Sequence, residues 1–272
     1  MTVIVVPVFN ALAETRRCLK ALEATIGRNQ PVIVIDDAST DPEMADLIAQ
    51  QPARWTKIKN EENLGFVASA NFGMTLAGGR DVILLNADTQ VAAGWLDAIE
   101  RCAASNERIA SITPLTNNGE IASIPEFCRA NPWPENISAW AQACRLAGPP
   151  EYTPVPTGVG FCMFMRRAAI AQVGLFDEQA FGRGYGEEND WCMRASGAGW
   201  THVLCDDAFV AHQGGASFGP LGEKPGGQAM ETLLKRHPDY MQRVQAFISA
   251  DPMAARREKI IAAHNRLTGR AV

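Results

Sequence analysis

The residues best suited to chemistry in this chain are acids, and they come in groups. Glu187, Glu188 and Asp190 fall within four positions of the stretch GYGEENDWCMR (184–194), behind two glycines and against Trp191. That stretch alone leaves two readings open. Acids favour the positive N-terminal end of a helix, and Asp190 stands four residues before Arg194, the spacing of a helical ion pair. The other reading is a reactive carboxylate held among its neighbours. Further acids close apolar runs: Asp36 and Asp37 in VIDDAST, and Asp88 in LLNADT. One such end is explained by a turn or a helix cap, because Asp accepts from backbone N–H groups in both. Several such ends on one sheet edge make a binding site.

The elements that must position these groups alternate along the chain. TVIVVPV (2–8) and PVIVID (31–36) are β-branched runs of strand length, apolar throughout as in strands buried on both faces. Between them, ALAETRRCLKALEATIG sets Leu12, Leu19, Leu22 and Ile26 at helical spacing and stops at Gly27. WTKIKN (55–60) reads as a strand, FVASANFGMTLAGG (66–79) as a helix and DVILLNAD (81–88) as a buried strand. GWLDAIERCAAS (94–105) reads as a helix and IASITPL (109–115) as a strand. The alternation predicts βαβ units, an α/β fold class and a single, mainly parallel, Rossmann-like sheet flanked by helices. Residues 116–150 are rich in Asn and Pro, hold at most one helix near 136–147, and read as a connector or insertion over the active face. Beyond them come the strand-like VGFCMFMRR, a short helix AAIAQVG, the acidic stretch, two strands (WTHVLCD and AFVAH) and a helical tail from about 226. Ligands of open parallel sheets bind at the carboxyl ends of the strands, where PVFN, DDAST and NADT all fall.

Composition and missing motifs exclude several function classes. A net charge of −5 argues against a broad nucleic-acid-binding surface. The seven cysteines never form a C-x-x-C pair and are odd in number, so neither a disulfide framework nor a zinc site is expected. Reduced, mostly buried thiols in a cytoplasmic protein are. MTVIVVPVFN has no basic region before an apolar run that breaks at Pro7, which predicts a strand and not a signal peptide, and no run reaches membrane-spanning length. No G-x-G-x-x-G follows the first strand and no G-x-x-x-x-G-K-[ST] occurs anywhere. A diphosphate must therefore be held by another device, and a metal on Asp88 is the natural candidate.

Taken in order, VIVVPVFN, VIDDAST, NEENLGFVASANFG, LLNADT, GEENDWCMR and VAHQGGASFG resemble the motif series of family 2 glycosyltransferases with the GT-A fold, in particular the rhamnosyl- and galactofuranosyl-transferase-like members. The resemblance spans roughly residues 1–220. It implies a transferase domain over 1–222, with a nucleotide-binding half (1–115), the connector or insertion (116–150) and an acceptor half (151–222). A helical extension, 223–272, follows.

By that resemblance Pro7, Val8 and Asn10, with Asp36 and Asp37, hold the base and ribose of a UDP- or dTDP-sugar, a carboxylate accepting from the pyrimidine N3–H. Asn63 and Gly65 lie beside the nucleotide, although a plain turn explains Gly65 equally. Asn86, Ala87 and Asp88 fill the D-x-D position that binds a divalent cation, Mn²⁺ or Mg²⁺. Asn86 replaces the first acid, so Asp88 becomes the principal ligand and Asn86 a ribose contact. His212 matches a metal-binding His of similar members and supplies the second ligand that one carboxylate needs. Glu188 occupies the position of the general base, Glu187 is the runner-up, and Asp190 fits an acceptor contact or the ion pair with Arg194. Gly158 and Gly160 would admit donor or acceptor sugars close to the backbone, strand bulges explaining them nearly as well. Trp191 would stack on a sugar or fill the core. FGRGYG (181–186) reads as a mobile loop with Arg183 reaching for a phosphate.

The expected partners are a nucleotide-sugar donor and a carbohydrate or lipid-linked glycan acceptor, without nucleic acid. The tail PMAARREKIIAAHNRLTGR (252–270) carries Arg256, Arg257, Lys259, Arg266 and Arg270. It reads either as a solvated basic face covering the core or as a peripheral contact with an anionic membrane or assembly partner. Two rivals are a sugar-phosphate nucleotidyltransferase, which lacks its Gly-rich loop here, and a degenerate nucleotide-sugar-binding module, suggested by Asn86.

Overall fold

β-Branched runs buried on both faces build the first half of the sheet. In a computed structural model, which describes residues 1–182, 184–214 and 227–269, β1 (Val3–Val8) lies between β2 (Val32–Asp36) and β4 (Val82–Leu85) and runs parallel to both. β3 (Thr56–Lys59) adds parallel to β2. Successive side chains of a strand point to opposite faces, so Ile4, Val6 and Val8 enter one core while Val3 and Val5 enter the other. The first core is closed by α1 (Leu12–Thr25), α4 (Trp95–Ser105) and α5 (Ile137–Leu146). The second is closed by α3 (Phe66–Leu76), α6 (Arg167–Val173) and α8 (Glu187–Gly197). Gly73 lets α3 settle onto β1, since a Cβ there would stand 2.2 Å from Val5 Cγ1.

The second half of the sheet departs from the mainly parallel expectation. β8 (Cys162–Met165) runs antiparallel both to β4 and to β6 (Ile109–Leu115), and β9 (Thr201–His212) then pairs parallel with β6. β5 (Thr89–Val91) and β7 (Pro154–Val155) add antiparallel to β9, giving the path β3-β2-β1-β4-β8-β6-β9-β5 with β7 beside β9. The sheet is single, open and mixed. WTHVLCD and AFVAH form one strand, because Asp206 and Asp207 in its middle are buried against partners from elsewhere. The helix α2 (Met44–Ala49) and the short α7 (Glu178–Phe181) complete this part.

The C-terminal helices α9 (Gly227–Arg236), α10 (Tyr240–Ala250) and α11 (Ala254–Thr268) pack back onto the sheet domain. Leu233 and Tyr240 share a small core with Phe181 and Met193 behind α8. α11 covers the core as one reading of the basic tail expects, but its cations are not all solvated: Lys259 and Arg266 are exposed, whereas Arg256 is not. Arg256 is 1% exposed, pairs with Asp206 at 2.5 Å and donates to the carbonyls of Cys144, Ala147 and Gly148 at the end of α5. Arg257 pairs with Asp251 and lies over the Phe127 ring, and His264 stacks on Trp140 at 3.8 Å. The helix is thus a strut held in part by Arg256 and Arg257. Arg270 lies outside the described residues.

Removing one member of a buried ion pair leaves the other charge uncompensated, at a cost of about 3–5 kcal/mol. Arg256→Ala is expected to lower the urea midpoint by that much stability at an unchanged m-value. Lys259→Ala, whose exposed partner Glu151 is 3.9 Å away, should cost under ~1 kcal/mol. Equal losses for the two variants would sink the assignment.

Candidate active site

Three strand ends meet on one edge. In register, Pro7 faces Ile35 and Val8 faces Asp36, and the Asp37 N–H donates to the Val8 carbonyl at 2.8 Å. Asn10 and Ala11 both take left-handed backbone (φ 52° and 53°), which turns the Asn10 amide to cap the 39–41 turn. Its Oδ1 accepts from Thr40 N–H at 2.8 Å. The two acids of VIDDAST divide. Asp37 takes the Asn60 amide at 2.7 Å and the N–H groups of Leu64 and Gly65 at 2.9 and 2.8 Å, fastening the 60–65 loop to the sheet. Asp36 takes the Ser39 N–H at 2.9 Å. Gly65, at φ 88°, is the turn that loop requires, and Asn63 donates to the Asp37 carbonyl at 3.3 Å.

Beyond β4, the Asn86 N–H donates to the Phe161 carbonyl at 2.9 Å, and Ala87 is buried. Asp88 is buried beside β5 and takes the Gly214 N–H on Oδ2 at 3.1 Å. Its Oδ1 stands 3.5 Å from His212 Nε2. His212 Nδ1 lies 2.6 Å from the Asn118 carbonyl. A carbonyl only accepts, so Nδ1 carries a proton, and whenever the ring is neutral its Nε2 lone pair is turned towards Asp88. The Phe161 ring stacks on the imidazole at 5.1 Å. A lone pair and a carboxylate oxygen at this separation suit a cation between them. Among the described residues no three His, Cys, Asp or Glu side chains gather into a metal cluster. A divalent ion here would take two protein ligands and complete its shell from phosphate and water, as Mg²⁺ sites on nucleotides do.

The acids of α8 approach the same loop at Gly160, the residue before Phe161. Gly186, at φ 100°, starts the helix, and a Cβ on it would meet Phe181 at 3.1 Å. A Cβ on Gly160 would lie 3.8 Å from Glu188 Cδ, an ordinary contact, so Gly160 sits directly beside this carboxyl. Among the described residues, the buried side-chain oxygens without a hydrogen-bond partner are Asn63 Oδ1, Asn86 Oδ1, Glu187 Oε2 and Glu188 Oε2. All four belong to segments gathered here. Buried acceptors are normally paired, so these four oxygens are the acceptors here with capacity left for a donor or cation. Burial, and then the charge of Glu120, push the Glu188 carboxyl above its ordinary range. Burial and the neighbouring Glu188 charge hold Glu187 well above it.

The structure does not bring every predicted residue to this edge. Trp191 is fully buried in the second core and donates its indole N–H to the Gly174 carbonyl at 2.9 Å, so it offers no face to a sugar. Gly158 is small because a Cβ there would press on Ser111, Thr113 and Met163, all within 3.3 Å, and not because a ligand approaches. Asp190 is 0% exposed and is held by Arg194 at 2.8 Å, His237 at 2.9 Å and Arg236 at 3.4 Å, the first being the pair its spacing admits. Arg183 and Gly215 to Gly219 lie outside the described residues.

The family model described as "Glycosyl transferase family 2" matches residues 3–174, more than half of the chain. The chain belongs to glycosyl transferase family 2. It is 28% identical over 228 residues, 75% of its own length and 73% of the relative's, to N-acetylglucosaminyl-diphospho-decaprenol L-rhamnosyltransferase from two strains of Mycobacterium tuberculosis. Its fold is shared with GT-A glycosyltransferases. The crystal structure of GalNAc-T7 with UDP, GalNAc and Mn²⁺ superposes with a TM-score of 0.63 at 15% identity, over 97% of this chain and 54% of that one. That of S. aureus TarS 1-349 does so with a TM-score of 0.56 at 15% identity, over 96% and 78%. The chain thus spans about half the length of the GalNAc-T7 chain.

Sequence reasoning about this family 2 transferase missed Asn117, Asn118 and Phe161, which hold His212, and Glu120, which bears on Glu188. The NNG turn at 117–119 was the available signal for the first two. The raised Glu187 carboxyl yields a test. The folded state binds that proton more tightly than the unfolded chain, so the contribution of Glu187 to stability is greatest below about pH 4.3 and is lost as pH rises through the folded value. Glu187→Gln keeps the neutral shape and removes the ionisation. Its urea midpoint should therefore fall less steeply with rising pH than that of wild type, and an unchanged slope would refute the buried neutral acid.

Proposed function

We propose that this chain is an inverting, metal-dependent glycosyltransferase of glycan assembly, using a pyrimidine nucleoside diphosphate sugar and a carbohydrate hydroxyl. The observation that carries this reading is one contiguous arrangement. The Asp88–His212 pair lies at one end, Phe161 and Gly160 lie between, and the partnerless Glu188 Oε2 lies at the other. Asp36, beside Val8 at the sheet edge, receives the pyrimidine N3–H, while Asp37 keeps the 60–65 loop in place around the nucleotide. Asn86 Oδ1 accepts from a ribose hydroxyl. Asp88 and His212 would hold the divalent ion, whose contribution is Lewis-acid stabilisation of charge on the departing diphosphate.

Glu188 then takes the proton of the acceptor hydroxyl while that oxygen attacks C1 from the face opposite the leaving phosphate. The C1–O bond to the diphosphate breaks, with its electron pair leaving on phosphate oxygen. A raised carboxyl pKa makes Glu188 a better proton acceptor near neutrality. Asp190, gripped by Arg194, Arg236 and His237, holds the helix in position. The relative's name points to a lipid-linked diphospho-sugar acceptor and to L-rhamnose as the first donor sugar to test. Seven free cysteines fit the cytoplasmic side of a membrane. Among the described residues no helix is long and apolar enough to cross one.

Thermal unfolding in the presence of uridine and thymidine diphosphate sugars, with and without Mn²⁺, tests the site. A ligand at 100 times its Kd adds about 2.7 kcal/mol. Wild type should gain stability with one donor in a Mn²⁺-dependent manner, and Asp88→Ala should lose that gain. Glu188→Gln should keep the gain while kcat falls about 10²–10⁴-fold. A gain indifferent to metal and to Asp88 would overturn the metal assignment. Donor binding without transfer or hydrolysis in wild type would point instead to a binding module.

A further inference from the structure

We infer that Asn117 is a positioning residue for His212, its side-chain amide standing in for a missing strand. The inference rests on the reading of Asp88 and His212 as the cation pair. β6 and β9 pair in step from Ser111↔His202 to Pro114↔Cys205, after which the register shifts to Leu115↔Phe209. β9 continues alone to His212, with β5 on one side only, where Thr89 faces His212. On the other side the Asn117 amide supplies what a strand backbone would. Its Oδ1 accepts the His212 N–H at 2.9 Å, and its Nδ2 donates to the His212 carbonyl at 3.0 Å.

Asn117 is 4% exposed, and its own carbonyl is anchored by the Asn131 N–H at 2.9 Å and the Asn131 amide at 3.1 Å. The next carbonyl in the chain, that of Asn118, takes the His212 Nδ1 proton. One residue therefore fixes both the backbone carrying the imidazole and the acceptor that selects its tautomer. Both are needed if Nε2 is to present a lone pair to a metal beside Asp88. Outer-shell partners of this kind are typically worth about 10–100-fold in metal affinity. A purely structural loop contact would leave the ring tautomer unchanged when removed.

The test is ¹⁵N NMR of the imidazoles, of which the chain has four, with His212 assigned by its loss in His212→Gln. In metal-free wild type at alkaline pH, His212 should be the Nδ1–H tautomer. In Asn117→Ala it should become a mixture, and broadening of its signal on titration with Mn²⁺ alone should need about 10–100-fold more metal. An Nε2–H tautomer in wild type overturns the inference without any variant being made. So does an Asn117→Ala protein that keeps the wild-type tautomer and Mn²⁺ response. Wild type that shows the Nδ1–H tautomer but no Mn²⁺ broadening overturns the metal reading instead, and the tautomer of Asn117→Ala then decides the role of Asn117.

Discussion

The antiparallel seating of β8 against β4 is the constraint on which the site depends. Leu85 pairs with Cys162, and the Asn86 N–H closes onto the Phe161 carbonyl. An antiparallel neighbour brings its beginning to its partner's end, so the loop entering β8 lands at the carboxyl edge of β4. That loop carries Gly160, which lies against Glu188, and Phe161, which lies against His212. A parallel β8 would send Phe161 and Gly160 to the opposite edge and separate the acids of α8 from Asp88. The departure from a mainly parallel sheet is thus what joins the two halves of the site.

Apart from Asp36, Asp37 and Asp88, which are held by backbone N–H groups, the chain handles its buried acids in two ways. Asp190 and Asp206, both fully buried, are given cations: Arg194 and Arg236 for one, which also meets His237, and Arg256 for the other. Glu187 and Glu188 are given none, and each keeps a buried oxygen without a partner. A carboxylate in a low-dielectric setting without a counter-charge moves towards its neutral form. The unpaired acids are therefore the ones whose protonation responds to what binds beside them, while the paired ones serve as fixed anchors. The separation occurs within one helical turn.

Much of this was legible locally. β1, β2, β4 and β6 are apolar runs, the helices between them show their spacing, and each polar strand end reads directly from the chain. What escaped depends on partners far away in sequence. The direction of β8 is set by the long excursion before it, not by VGFCMFMRR. β9 looked like two strands because Asp206 and Asp207 interrupt its pattern, yet their partners Arg256 and Arg101 stand 50 and 106 residues away. The same pairing hid Arg256 inside a tail that reads as uniformly basic. Trp191 and Gly158 were ambiguous in sequence because a large aromatic and a small residue serve a core and a ligand equally well, and burial alone separates the two.

The crowding of acids at the start of α8 then has a physical explanation. A helix N-terminus tolerates several carboxylates because its free N–H groups and dipole offset their charge. Position along the turn decides what each can do. Asp190 and Arg194 are one turn apart, and α9 closes over Asp190 with Arg236 and His237, so that acid is committed to joining α8 to the C-terminal helices. Glu188, two residues earlier, faces Gly160 instead of a cation. In the proposed reaction a misplacement of the base of about 1 Å is enough to cost roughly 10²-fold in rate. In that proposal the anchored acid keeps the reactive one in place, and Asp190 acts through the position of Glu188 and not by its own charge.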